Sequence, residues 1–187
     1  MERIKIKNPQ YEIEIIPDDF LSDSSDSIHG FTTKNNEVEN DDPTSSLKIT
    51  CRTKESKTNC SIHARIGVVS ISEHSAFILN DSLFLAVGND VCKIKLPDLE
   101  LTWRTKSDTA LCFGLYPLLE QDCIIVHGEC EITRLKFTGE IEWIVSGKDV
   151  FTGVFRISAT QIEVSDFNDA KYLIDISSGR ITLLKGS

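Results

Sequence analysis

Residues 123–145 read CIIVHGECEITRLKFTGEIEWIV, and residues 83–105, forty positions earlier, read LFLAVGNDVCKIKLPDLELTWRT. Laid one on the other, Gly88 falls on Gly128 and Trp103 on Trp143. Forty residues further on, Gly139 falls on Gly179, while Asn168 and Leu183 stand where Gly128 and Trp143 stood. Self-similarity at a fixed period of this length marks an array in which each copy buries its neighbour's apolar face.

Each copy divides into four short apolar runs. The first runs are 77–79, 116–119 and 154–157, and the second are 83–87, 123–126 and 162–164. The third are 91–96, 130–137 and 171–176, and the fourth are 101–104, 141–145 and 181–184. Turn residues part them: Asn80-Asp81, Gly88-Asn89-Asp90, Pro97-Asp98, Thr138-Gly139, Asn168-Asp169, Ser178-Gly179. Runs of this length, rich in Ile, Val, Phe and Thr and bounded by such turns, are strands. Four antiparallel strands per copy is the content of a propeller blade. The expected fold is therefore all-β: an antiparallel meander of about 40-residue, four-stranded propeller-like blades, with three repeats plus N-terminal hairpins.

The segment Thr138-Gly139-Glu140-Ile141-Glu142-Trp143 resembles the T-G-x-x-x-W ending of quinoprotein-type (PQQ-like) propeller repeats, with one residue fewer before the Trp. The resemblance covers residues 77–184. It departs from the pattern at Lys136-Phe137, where an Asp is usual, and the third copy has no Trp. It implies that Trp103 and Trp143 dock blade against blade. The residues alone give a compatible role, since a large aromatic in a core buries much apolar area. No cofactor-binding residue of that family carries over, so no cofactor is expected.

Three blades do not close a ring, which takes at least about four. Three readings stand. The N-terminal region supplies a fourth, irregular blade; the meander stays open or incomplete; or two chains pair through exposed edges as a homodimer. Residues 1–72 carry the material for that blade. Arg3-Ile4-Lys5-Ile6-Lys7 and Tyr11-Glu12-Ile13-Glu14-Ile15 alternate with period two around Asn8-Pro9-Gln10 and read as a hairpin, with Lys5 and Lys7 facing Glu12 and Glu14. Residues 47–52 and 60–66 read as a second hairpin around Lys54-Glu55-Ser56-Lys57. Residues 73–187 hold the three repeats, and the two parts are expected to form one compact domain.

Between the hairpins, Asp18, Asp19, Asp23, Asp26, Glu37, Glu39, Asp41 and Asp42 stand against the single Lys34. That is a net −7 out of the chain's −9, and the remainder is close to neutral. Low hydrophobicity with concentrated charge predicts a flexible acidic insertion over 18–45. Charge of one sign in one place steers association with its opposite. Asp23, Asp26, Glu37, Glu39, Asp41 and Asp42 are therefore candidate contacts for a basic protein partner, with Phe31 as an apolar anchor.

Catalytic motifs do not emerge. The sequence has no G-x-S-x-G elbow, no Walker-type loop and no H-E-x-x-H. Of the four histidines only His127, beside Glu129 and Glu131, stands near carboxylates. His127 and Glu129 join the candidate binding residues; a carboxylate–histidine enzyme around His127 and a structural dimerisation element are the two alternatives to a non-catalytic interaction module. The six cysteines form no C-x-x-C pair. Buried thiols are expected, with no metal; Cys123, Cys130 and His127 are the one conceivable ligand set. An isoelectric point near 4.9 argues against nucleic acid. No apolar run reaches the roughly 18 residues of a membrane span, and no secretory core is present. The expectation is a cytoplasmic protein, without membrane contact, that binds another protein. An immunity-type inhibitor of a basic toxin is one concrete version.

Overall fold

A computed structural model describes residues 3–18, 45–65 and 71–184. They form sixteen strands in four separate four-stranded antiparallel sheets. The first sheet holds β1 (Ile4–Lys7), β2 (Glu12–Asp18), β3 (Ser46–Arg52) and β4 (Lys57–His63). The second holds β5 (Ala76–Leu79), β6 (Ser82–Val87), β7 (Asp90–Lys95) and β8 (Glu100–Lys106). The third holds β9 (Cys112–Leu118), β10 (Cys123–Gly128), β11 (Glu131–Lys136) and β12 (Ile141–Ser146). The fourth holds β13 (Phe155–Ile157), β14 (Gln161–Ser165), β15 (Lys171–Asp175) and β16 (Ile181–Leu183). Within every sheet the strands neighbour one another in chain order. The four-strand meander expected of each repeat is present, and the N-terminal hairpins join through β2 and β3 into a fourth blade.

Hydrophobic cores lie between consecutive sheets. In β6, Leu83, Leu85 and Val87 face the first sheet's core, and Phe84 and Ala86 face the third sheet. In β10, Ile124 and Val126 face the second sheet and Ile125 the fourth. Strands buried on both faces read as unbroken apolar runs, which is why 83–87 and 123–126 show no alternation. The two end sheets do alternate. In β2, Ile13 and Ile15 are buried against Glu12 and Glu14 on the other side; in β14, Ile162 and Val164 are buried beside Glu163. Among the described residues no hydrophobic core joins the fourth sheet to the first, so the four blades form an open stack. The first core draws on Ile4 through Ile62 as well as Leu83 through Leu99, so it runs across the expected 72/73 division.

The two tryptophans sit where blades meet. Trp103 of β8 donates its indole N–H to the Phe137 carbonyl at 3.3 Å and covers Gly139, in the β11–β12 turn of the next blade. Trp143 of β12 repeats this one blade on, bonding the Ile176 carbonyl at 3.0 Å and covering Gly179. Both glycines adopt positive φ, 93° and 70°, and a Cβ on either would stand under 3 Å from the ring above. The turn therefore needs glycine twice over, for its backbone and for the ring's approach. The second blade has Leu99 at this place, at φ 59° and fully buried in the first core. There a side chain fills the space that a neighbour's ring takes in the later blades.

The N-terminal pairing is as the alternation predicts. Lys5 stands opposite Glu14 and Lys7 opposite Glu12. Glu14 collects Arg3, Lys5 and Arg52 at 3.8, 3.5 and 3.4 Å. The exposed edge strand β16 leaves Leu183 and Leu184 open, whereas Ile4 on β1 is buried.

Candidate functional site

In a meander the second-to-third-strand turns and the loops between blades gather on one rim. Hydrogen bonds tie them there. The Ser107 and Asp108 N–H groups donate to the Asn89 carbonyl, Cys112 N–H to the Gly88 carbonyl, and Glu129 N–H to the Leu111 carbonyl. Phe151 N–H donates to the Glu129 carbonyl, and Phe167 N–H to the Val150 carbonyl. Ala64 N–H reaches the Ser45 carbonyl and the next residue, Arg65, reaches Asp90, which places the start of β3 on this rim as well. Asp18 at the end of β2 pairs with Ser46 at the start of β3, so both residues belong to this rim. Asp23, Asp26, Phe31, Glu37, Glu39, Asp41 and Asp42 belong to the connection between β2 and β3, residues 19–44, and lie outside the described residues.

Buried carboxylates hold the rim together. Asp90 is fully buried; its Oδ2 accepts from Arg104 Nε at 2.7 Å and meets Arg104 Nη2 at 2.6 Å, and Arg65 Nη1 stands 3.6 Å from Oδ1. Asp108 accepts backbone N–H groups from Ala110, Cys130 and Glu131 at 2.6, 3.0 and 2.8 Å. Burial pushes its carboxyl above the usual range, and those three donors pull the other way. Gly128 permits this grip, because a Cβ there would overlap the Asp108 carboxylate. Asp166 does the same in the fourth blade, accepting from Asn168 N–H, Ala170 N–H and the Tyr172 hydroxyl at 3.0, 3.0 and 2.8 Å. None of the three reads as a site residue in the sequence, where Asp90 is legible only as part of the turn Gly88-Asn89-Asp90. Asp166 begins a turn, as the Asx pattern Asp166-Phe167-Asn168 allows; Asp90 owes its role to Arg104, 14 residues away, and Asp108 to Cys130 and Glu131, 22 and 23 residues away.

His127 does not meet the carboxylates. It stands opposite Ile132 and faces the fourth sheet, stacked on Phe155 with ring centroids 4.1 Å apart. Its Nε2 lies 3.1 Å from the Phe151 carbonyl, and Phe113 packs edge-on at 5.4 Å. Glu131, one residue from Ile132, faces the other side of the sheet and accepts from the N–H and hydroxyl of Thr109 at 2.6 and 2.8 Å. Glu129 is half-buried in the rim turn and serves through its backbone. The expected convergence of His127 with Glu129 or Glu131 thus gives way to blade-to-blade packing by the ring and loop anchoring by Glu131.

Burial lowers the His127 pKa below its ordinary 6.5, against a smaller opposing effect of the Phe151 carbonyl. With the folded value below the unfolded one, the unfolded chain takes up the proton first. Stability from this site is therefore present above pH 6.5 and is lost as pH falls through it. A His127→Phe variant is expected to lose less stability between neutral and mildly acidic pH than the native chain, as read by urea midpoints across that interval. Parallel losses would show that His127 is not buried as a neutral ring.

The thiols are structural. Cys51, Cys60, Cys92, Cys112 and Cys123 are buried, and burial pushes Cys60 and Cys92 to about 12. Cys123 opens β10, paired with Lys136, while Cys130 lies beyond its far end, about 17 Å along the strand at 3.3 Å per residue. That separation corrects the conceivable Cys123–Cys130–His127 ligand set. The described residues contain no group of three or more potential metal ligands. A cavity of about 210 Å³ opens between Ser72, Gly88, Leu111, Cys112 and Phe113. No described helix is long and apolar enough to cross a membrane.

No protein-family model matches the chain, and no curated protein matches it. Among similar solved structures is the Neurospora crassa Pan2 WD40 domain, at 10% identity and TM-score 0.49, covering 61% of this chain and 38% of that one. BamB from Moraxella catarrhalis is similar at 12% identity and TM-score 0.49, covering 75% and 45%. AztD from Citrobacter koseri is similar at 11% identity and TM-score 0.49, covering 96% and 57%. The chain spans less than two thirds of each of these structures. The propeller-like fold itself is read from the four sheets and their interleaved cores.

Proposed function

We propose that this chain is a non-catalytic protein-interaction module whose contact surface is the rim of turns and interblade loops, with the acidic connection 19–44 as its arm toward a basic partner. What supports the reading is the rim position at which β2 ends and β3 begins. Residues 18–42 hold −7 of the chain's −9, and they are inserted at a rim position where the other blades have turns of a few residues. Such a rim, fixed by buried Asp90, Asp108 and Asp166, is a rigid platform for charge that steers a partner of opposite sign. Side chains that could do chemistry on the rim already have structural work: His127 packs, Glu131 and Asp108 anchor loops, and five of the six thiols are buried. In this reading Asp23, Asp26, Glu37, Glu39, Asp41 and Asp42 make the charged contacts, Phe31 adds an apolar one, and Glu129 lies on the platform with His127 supporting it from beneath.

The test is affinity capture from native cell lysate with the full chain and with a full-length variant carrying Asn or Gln at those six acidic positions. The expected result is a stoichiometric basic protein, lost with the variant and rebound by the purified native chain. Equal capture by both would move the contact off the arm. Capture by neither would sink the reading.

A further inference from the structure

We propose that the outward face of the first sheet is a second docking surface, for an acidic polypeptide segment. The register fixes what this face presents. Lys5, Glu14, Thr50 and Asn59 stand side by side across the four strands, and Lys7, Glu12, Arg52 and Lys57 form the next row. Lys48 lies between Ile16 and Ser61 in a third. Directly opposed residues point to one side of a sheet, and the other side carries the buried Ile13, Ile15, Leu47 and Ile49. With Arg3 at the edge of β1, these register positions hold six cations against Glu12, Glu14 and Asp18, a net +3. The whole chain is −9, so everything outside this face sums to −12.

Part of this charge is already satisfied, because Arg3, Lys5 and Arg52 converge on Glu14. Lys7, Lys48 and Lys57 form no ion pair among the described residues, and they occupy different strands. Cations without an ion-pair partner, spread over a polar sheet face, are what an incoming string of carboxylates requires. Size decides between acidic ligands. Four strands at about 4.8 Å span roughly 14 Å, and seven residues run roughly 23 Å. A short acidic segment fits inside that area. A nucleic-acid duplex would overrun it and meet the surrounding −12, which repels phosphate. The molecule then has two charged surfaces of opposite sign, and the basic one is independent of the arm's partner.

The experiment titrates the purified full-length chain into labelled deca-glutamate, followed by fluorescence anisotropy at low and physiological salt. A short labelled DNA duplex is the parallel probe. Lys7→Glu/Lys48→Glu/Lys57→Glu reverses these three cations, and Arg156→Glu on the outward face of the fourth sheet is the control. Circular dichroism melts report folding of each variant. The expected result is salt-sensitive peptide binding, weakened about tenfold or more by the triple reversal, unchanged by Arg156→Glu, and stronger than duplex binding. Equal binding by the triple variant, preference for the duplex, or no peptide binding by the native chain would overturn the proposal. A further arm uses the variant with amides at the six acidic positions of 19–44. Binding that emerges only there would assign the face to the chain's own acidic segment, and would overturn the proposal too.

Discussion

Replacing Asp90 with alanine is expected to destabilise the chain by about 3–5 kcal/mol, the range for breaking a buried ion pair by removing one partner. The carboxylate is fully buried and is gripped by Arg104 through Nε at 2.7 Å and Nη2 at 2.6 Å. Arg104 is itself only 16% exposed, so it cannot turn to water when Asp90 is gone. The cost is that of a stranded guanidinium, not the worth of one contact. This distinction gives the experiment its second arm. Asp90→Ala combined with Arg104→Leu removes both charges and is expected to recover part of the loss, because a buried pair can be exchanged for apolar groups at small net cost. Urea midpoints at constant m-value would read both. A single-variant loss under about 1 kcal/mol would mean that the pair behaves as a solvent-exposed one. The consequence for function lies in Arg65, which follows β4 and reaches the same carboxylate at 3.6 Å from the first blade. Losing Asp90 loosens the rim where the first and second blades meet, beside the start of β3.

The strands were legible because they depend on local pattern. Runs 83–87 and 123–126 are apolar throughout because both sheet faces are covered, and the alternation in Glu12-Ile13-Glu14-Ile15 marks a sheet covered on one side. The pairing of Lys5 with Glu14 followed from that alternation and from the short turn between the strands. The joining of the two N-terminal hairpins into one sheet was legible only as a count of strands. It rests on β2 pairing with β3 across residues 19–45, which no local pattern specifies.

The candidate site was less legible, for a related reason. His127, Glu129 and Glu131 lie close in sequence, and adjacency suggested convergence. Pleating sends His127 and Glu131 to opposite faces of the sheet, toward the fourth and second blades respectively. The reverse holds for Asp108. Its neighbours in sequence gave no sign of a role, because two of its three donors belong to a turn that begins twenty residues later. Leu99 shows the same limit. It stands where the later copies have glycine, and only the packing of the first core explains a buried leucine at positive φ.

The tryptophans give the second large effect. Trp143→Ala is expected to cost about 3 kcal/mol, the low end for an aromatic truncated to alanine, because the ring is only half-buried. Trp103→Ala should cost somewhat more, since its ring also meets Phe84 edge-on at 5.9 Å within the second core. The sharper test is a cycle with the glycine beneath. In Gly179→Ala the new Cβ would lie 2.7 Å from Cγ of Trp143, and the backbone at φ 70° is strained for any side chain. The two costs separate when Trp143→Ala is combined with Gly179→Ala. The steric clash vanishes with the ring and the backbone strain stays. The double variant should therefore be less destabilised than the sum of the singles by about 1 kcal/mol or more, a coupling expected only between residues in contact. The same cycle at Trp103 and Gly139 should give the same sign, because the geometry repeats one blade earlier. Trp143→Ala combined with Gly139→Ala pairs residues that do not pack on each other, and should be additive. Additivity in the first two cycles would mean that the blades are docked by something other than a ring laid on a glycine turn, and the forty-residue period would lose its physical explanation.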